Sequence, residues 1–293
     1  RATIGGGCGN AASYTGTVGG GECNCASASS CWSTVAGGCC NQATGGASVV
    51  AGGRQNTATS TVATVGGGCR NDATTDFSTI GGGCCNKIST CGDTIAGGKE
   101  NKSAGGCAFI GGGMTLSANN SFDVIVGGCG NRSCTDSTFG GGTFIGSGKN
   151  NISTCGFGII VGGRSNQTTG TWGVVVGGNT NQAATSAFVG GGTNNCAEGS
   201  YSVVGGGCTN KALGVASAIV GGKTSTARGA YSFTGGGLTL SAAGGCSFIG
   251  GGQESTITTA NATIVGGYRN TICRYGTCAS IVGGVQNVVC GVE

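Results

Sequence analysis

Apolar β-branched residues recur along this chain with a period of fifteen residues. In the stretch TVGGGCRNDATTDFSTIGGG, which begins at Thr64, Val65 and Ile80 each precede glycines. Asn71 and Asn86 follow them six residues later. A β-branched residue that returns once per unit is typical of an inward-facing strand position. Fifteen residues are too few for a pair of helices, so each unit predicts one coil of two short strands joined by tight corners.

The repeat extends over essentially the whole chain. Aligned on the position six residues after the Ile or Val, the chain contains nineteen units, and thirteen of the eighteen spacings are fifteen residues. Longer spacings predict enlarged coils near residues 25–33, 134–150 and 273–280. We therefore predict an all-β fold: one parallel β-solenoid domain (a β-roll) over residues 1–293, with about 19 coils.

Stacked coils place equivalent residues about 4.8 Å apart. A column of Asn side chains can then pass amide hydrogen bonds from coil to coil, although each Asn could instead make only its own local turn. A glycine stands three residues before this position in all nineteen units, where it either supplies a positive φ or admits another backbone. The predicted ladder consists of Asn10, Asn24, Asn41, Asn56, Asn71, Asn86, Asn101, Asn131, Asn151, Asn166, Asn181, Asn195, Asn210, Asn270 and Asn287.

The composition is unusual for an ordinary globular domain. The chain has 69 Gly and 20 Cys, no Pro and no His, and only 8% charged residues. Collagen and flexible linkers are excluded, because the glycines follow neither a three-residue period nor a random pattern.

The net charge of +4 is dispersed, so nucleic-acid binding is not expected. No apolar run approaches the length of a membrane span, so membrane insertion is not expected either. Without His or Cys-x-x-Cys spacing, no metal or other cofactor is expected.

The cysteines favour an oxidising location, either extracellular or on a cell or virion surface. In-register stacking would bring cysteines of adjacent coils towards disulfide range and staple a thin core. The candidate pairs are Cys69 with Cys84, Cys23 with Cys40, and Cys273 with Cys290, followed by Cys91 with Cys107 and Cys134 with Cys155, which lie one position out of register. Local bridges from Cys25 to Cys31 and from Cys273 to Cys278 are alternatives. Cys246 has no cysteine in neighbouring coils and is predicted to be free or to cross-link chains.

The residue before each inward Ile or Val should point outward. It is mostly Thr in the early units and mostly apolar from Phe109 onward. An outward apolar column predicts lateral contact with another chain or element, whereas local twist could instead fold these rings into the core. The candidates for lateral contact are Phe109, Phe144, Phe188, Phe233 and Phe248.

The repeat begins at residue 1 and continues to the last residue without a polar cap. Joining the last unit of one copy to the first unit of another gives an Asn spacing of 16 residues, within the 14 to 20 found along the chain. Head-to-tail stacking of copies is therefore expected. The alternative is that this boundary cuts a longer solenoid.

The phrases FSTIGGGCCNKIS at 77–89 and YSVVGGGCTNKA at 201–212 resemble the head repeats of trimeric autotransporter adhesins and the glycine-rich repeats of viral and phage fibres. This resemblance covers the whole chain. It implies a left-handed parallel β-roll, often trimeric, that binds a surface receptor, glycan or matrix. The cysteine content departs from such heads, and the chain shows no stalk heptads and no anchor barrel.

No enzymatic activity is expected. The absence of His removes Ser-His and Cys-His pairs, and the ten acidic residues are scattered. The leading hypothesis is a structural extracellular protein, the protomer of a filament, fibre or matrix. An adhesin or receptor-binding fibre segment is the alternative. An ice-binding solenoid based on the outward Thr column is the second alternative, although Val49 interrupts that column and Gly or Ala stands beside it.

Overall fold

A computed structural model describes residues 1–27, 32–134 and 141–291. Among these residues the regular structure consists of two-residue strands, with no helix. The protein is an all-β parallel β-solenoid of about nineteen coils, as the fifteen-residue period predicts. The chain divides into two compact units, Arg1–Asn150 and Asn151–Glu293. Each unit is described separately below, and the expectation of a single domain stays a prediction.

Every coil has a first strand, which carries the Ile or Val, and a second strand, which follows the Asn position. In the first unit the first strands are Thr3–Ile4, Thr17–Val18, Thr34–Val35, Val49–Val50, Thr64–Val65, Thr79–Ile80, Thr94–Ile95, Phe109–Ile110, Val124–Ile125 and Phe144–Ile145. Its second strands are Ala11–Ala12, Cys25–Ala26, Gln42–Ala43, Thr57–Ala58, Asp72–Ala73, Lys87–Ile88, Lys102–Ser103, Ser117–Ala118 and Arg132–Ser133.

The second unit repeats this arrangement. Its first strands are Ile159–Ile160, Val174–Val175, Phe188–Val189, Val203–Val204, Ala218–Ile219, Phe233–Thr234, Phe248–Ile249, Thr263–Ile264 and Ser280–Ile281. Its second strands are Ile152–Ser153, Gln167–Thr168, Gln182–Ala183, Cys196–Ala197, Lys211–Ala212, Thr226–Ala227, Ser241–Ala242, Thr256–Ile257, Thr271–Ile272 and Val288–Val289.

Within each unit, equivalent strands of successive coils pair in parallel and in register. Val65 lies opposite Ile80 in the first sheet, and Ala73 lies opposite Ile88 in the second sheet. A third ladder of single bridges, such as that between Cys69 and Cys84, lies between the glycines and the Asn. Each coil therefore has three hydrogen-bonded sides, whereas the sequence predicted two.

The core is a narrow set of columns that run through the coils. In one coil, Val65, Asn71, Ala73 and Ser78 are all fully buried. The aliphatic column mostly faces small residues of the second sheet, although Ile88, Ile257 and Ile272 are also fully buried there. Polar side chains occupy other inward positions. Most of them find hydrogen-bond partners inside the solenoid, but the buried hydroxyl of Ser217 does not.

The corners depend on left-handed backbone. Gly68 has a φ of 89°, and a Cβ built on it would lie 2.1 Å from the carbonyl oxygen of Gly83 in the next coil. Both predicted reasons for this glycine therefore hold. The turn before each first strand contains a further left-handed residue that is often not glycine, such as Phe77 with a φ of 57°. Its backbone N–H donates to the carbonyl of Thr61 at 2.9 Å, which fixes the turn to the preceding coil.

The predicted enlarged coils are described only in part. Residues 28–31 of the first and 135–140 of the second lie outside the described residues. In the third, the extra residues form turns between the strands Thr271–Ile272 and Ser280–Ile281.

Candidate interaction surfaces

The Asn column links each coil to the next. The Nδ2 of Asn71 donates to the carbonyl of Gly67 in its own coil at 2.8 Å and to that of Gly83 in the next coil at 3.0 Å. Its Oδ1 accepts the backbone N–H of Asn86 at 3.1 Å. One side chain thus makes the local turn and also connects the coils, so the two alternatives coexist.

Most of this ladder runs between side chain and backbone. Direct amide-to-amide bonds occur from Asn86 to Asn71 and from Asn287 to Asn270, each at 3.1 Å. Thirteen of the fifteen predicted Asn residues are buried, while Asn10 is half-buried and Asn287 is exposed. The column is consequently internal and offers little surface to a ligand.

Leucine interrupts the column at Leu116 and Leu240, which are both buried. Three residues earlier, Gly113 has a φ of 119° and Gly237 a φ of 138°, compared with 89° at Gly68. The corner is therefore wider where leucine replaces the Asn. Serine does not have this effect, since Gly222 and Gly252 keep φ values of 95° and 100° before Ser225 and Ser255.

One disulfide is present in the described residues, between Cys273 and Cys290. The other predicted bridges are not formed in the structure. The following cysteines of those pairs are free thiols: Cys69, Cys84, Cys23, Cys40, Cys91, Cys107, Cys134, Cys155 and Cys25. Stacking in register does not by itself decide between bridge and free thiol, because Cys273 and Cys290 also lie in adjacent coils, with Cα atoms 4.7 Å apart. Cys278, the alternative partner of Cys273, and Cys246 are exposed free thiols. Cys31 lies outside the described residues.

Two pairs of adjacent cysteines bring their sulfurs together. The Sγ atoms are 3.4 Å apart in Cys39 and Cys40, and 3.2 Å apart in Cys84 and Cys85. The thiol–thiol hydrogen bond raises the pKa of Cys39 and of Cys84, and burial raises the pKa of Cys196. A raised pKa leaves less thiolate, so these three thiols are weak nucleophiles.

In the part of the chain that the structure describes, no three ligating side chains are grouped to hold a metal ion.

The predicted phenylalanine column points outward. Phe109, Phe144, Phe188 and Phe248 are each about two-fifths exposed, at 40%, 38%, 38% and 38%. Phe233 is half-buried because its ring stacks on that of Phe248, with centroids 5.1 Å apart. Strand alternation therefore decides their direction, and twist does not fold them into the core.

In the second unit these rings belong to a wider apolar strip on the outer face of the first sheet. Four valines, each directly after an inward residue, complete this strip: Val161, Val176, Val220 and Val265. The apolar strip consists of Ile159, Val161, Val174, Val176, Phe188, Val203, Val220, Phe233, Phe248 and Val265. In the first unit the same face is mainly hydroxylated, with Thr17, Thr34, Thr64, Thr79 and Thr94.

A row of exposed aromatic residues in the turns was not among the predictions from the sequence. They stand three residues before the inward position and share the left-handed backbone of the turn: Trp32, Phe77, Phe122, Phe157, Trp172, Tyr201 and Tyr231. The rings of Phe157 and Trp172 stack with centroids 6.0 Å apart. Tabulating this position along the repeat would have revealed the row.

A cavity of about 530 Å³ lies beside the break in the Asn column at Leu116. It is lined by Cys85, Glu100, Lys102, Thr115, Leu116 and Ser117. Its residues combine one carboxylate, one ammonium group, one thiol and two hydroxyls.

No protein-family model matches the chain, and no curated protein matches it either. Within the described residues, no helix is long and apolar enough to cross a membrane.

Proposed function

We propose that this chain is a structural extracellular protein, the protomer of a filament, fibre or matrix built from copies of itself by head-to-tail stacking. The observation that carries the proposal is the in-register repetition of one coil in both units. Thr64–Val65 pairs with Thr79–Ile80 in the same way as Val203–Val204 pairs with Ala218–Ile219. Because the coils share one hydrogen-bonding pattern, a coil edge of one copy is complementary to that of another.

Lateral contact is the second part of the proposal. The apolar strip gives copies a flat, uncharged face by which they can associate side by side. Association of three copies would match the trimeric heads and viral or phage fibres that the repeat phrases resemble. The cysteine content supports an oxidising location.

Electron microscopy of concentrated native protein tests the assembly. We expect continuous fibres, with diffraction at about 4.8 Å along the fibre axis. The double variant Phe188→Thr with Phe248→Thr introduces the residue that the same position carries in the first unit. It should thin bundles to single filaments without shortening them. A protein that stays monomeric at high concentration in light scattering would refute the proposal.

An adhesin or receptor-binding fibre segment is the alternative function, supported by the exposed turn aromatics. Discrete particles that bind a surface, without fibres, would favour it.

Ice binding is the second alternative, supported by the outward Thr column of the first unit. Val49 interrupts this column, and a thermal-hysteresis measurement decides the question.

A further inference from the structure

Five successive turns of the second unit alternate between large aromatic and small residues. They carry Trp172, Ser186, Tyr201, Ala216 and Tyr231, each three residues before its inward position. All five have the same left-handed backbone, with φ between 51° and 61°. Because the backbone conformation is the same at all five residues, their Cβ atoms point in the same direction. These positions form one row, called here the turn row.

Hydrogen bonds hold the turn row in register. The backbone N–H of Ser186 donates to the carbonyl of Thr171 at 2.9 Å, and that of Tyr201 to Thr185 at 3.2 Å. Ala216 and Tyr231 continue the pattern, each at 2.8 Å. Each residue is thus tied to the turn before it, and neighbouring positions are about 4.8 Å apart. The three aromatic residues therefore recur every second coil, about 9.6 Å apart.

The aromatic side chains are largely open to solvent. Trp172 is 59% exposed, Tyr201 65% and Tyr231 66%. The small side chains of Ser186 and Ala216 leave room between successive rings of the row, while the other face of Trp172 stacks on Phe157 of the preceding coil. Exposed Tyr and Trp combine an apolar face with a polar edge, which suits a ligand that has both kinds of surface.

We propose that the turn row binds an extended β-1,4-linked polysaccharide. Such a chain alternates its sugar rings, and its disaccharide repeat has nearly the length of two coils. One sugar face per disaccharide would stack its C–H groups on Trp172, Tyr201 and Tyr231 in turn. Hydroxyl groups at Thr185 and Ser200, next to the row, can exchange hydrogen bonds with the sugar hydroxyls.

Charge also favours a neutral glycan. The ten residues at the row and directly before it, at 171–172, 185–186, 200–201, 215–216 and 230–231, contain no charged side chain. A polyanion would find no cation at these ten positions, whereas an uncharged sugar chain binds without giving up the hydration of charged groups. The binding site does not rest on self-assembly, because it lies within one copy.

Sedimentation with insoluble polysaccharide tests the proposal on the full chain. Cellulose and chitin share the β-1,4 linkage, and testing both identifies the sugar. Starch, which is α-linked, is the control polymer. We expect the protein to bind cellulose, chitin or both, and to bind starch much more weakly. Absence of binding to both β-linked polymers, or equal binding to starch, would overturn the proposal.

Variants test the row and its spacing. Trp172→Ala, Tyr201→Ala and Tyr231→Ala should each weaken binding about tenfold. Phe77→Ala is the matched control, because Phe77 occupies the same turn position at 64% exposure in the other unit, without an aromatic residue two coils away. The double variant Y201A/A216Y keeps the number of rings but changes their spacing, and it should bind as weakly as Y201A. The site would be refuted if the single variants bound like the wild type or if F77A lost binding equally. Recovery of binding in the double variant would also refute it. Circular dichroism confirms that each variant is folded.

Discussion

The substitution Asn71→Ala should destabilise the coils around it more than any surface change nearby. It removes the amide that bonds to Gly67 and Gly83 and the Oδ1 that accepts the backbone N–H of Asn86. Gly83 keeps one partner, because its carbonyl also accepts the N–H of Cys69 at 2.9 Å. The carbonyl of Gly67 and the buried N–H of Asn86 lose bonds that alanine does not replace.

The magnitude follows from these two backbone groups. The buried N–H of Asn86 loses its partner at a cost of about 1–3 kcal/mol, and the bond to half-buried Gly67 adds about 1 kcal/mol, so the free energy of unfolding should fall by about 2–4 kcal/mol. In a solenoid each coil contacts only its neighbours, so the loss should be concentrated in the coils that contain Asn56, Asn71 and Asn86.

Hydrogen–deuterium exchange with mass spectrometry measures this effect coil by coil, and urea denaturation measures the total. Lys87→Ala is the control, because this exposed side chain makes one weak ion pair, 3.9 Å from Asp72, and its loss should change stability by less than about 0.5 kcal/mol. Unchanged exchange around Asn71, or an equal effect of both substitutions, would refute the structural role of the ladder.

Three further predictions concern the corners, the buried hydroxyls and the disulfide. Gly68→Ala should unfold its coil locally, because the added Cβ would lie 2.1 Å from a carbonyl oxygen. Gly82→Ala should be tolerated, because no atom lies within 4 Å of its added Cβ. Hydrogen–deuterium exchange mass spectrometry compares the two variants. Ser217→Ala should raise the urea midpoint, since its buried hydroxyl has no partner, while Ser247→Ala should lower stability by about 1 kcal/mol through loss of a 2.7 Å bond. A higher midpoint in both serine variants would contradict this reasoning. Cys290→Ser should destabilise the last coils by about 3 kcal/mol, as removal of a disulfide that closes a short loop does. No change in their exchange rates would argue against that bridge.

Much of the architecture could be predicted from the repeat. A β-branched residue such as Val65 every fifteen residues implies a stacked strand, because one inward position per coil must be filled the same way each time. The direction of Phe188 and Phe248 also followed, since strand alternation leaves one outward choice next to each inward residue. The Asn ladder that contains Asn71 was also predicted, because stacking places equivalent Asn side chains over one another.

Other features needed the coordinates. The amide of Asn71 bonds mainly to backbone, because the glycine corner brings carbonyl oxygens closer to it than the neighbouring amides. Cys69 and Cys84 share a position of the repeat, yet both are free thiols, and the Sγ of Cys84 lies 3.2 Å from that of its chain neighbour Cys85.

The sequence by itself determined the coil, its period and the residues that face inward, because these depend only on which positions repeat. Only the tertiary structure decided that the aromatic turn positions are exposed and share a left-handed backbone. Trp172, Tyr201 and Tyr231 lie 29 and 30 residues apart along the chain, and they share one row because two coils separate each from the next. The left-handed backbone that exposes these side chains is a property of the turn, and a hydrophobic period does not specify it.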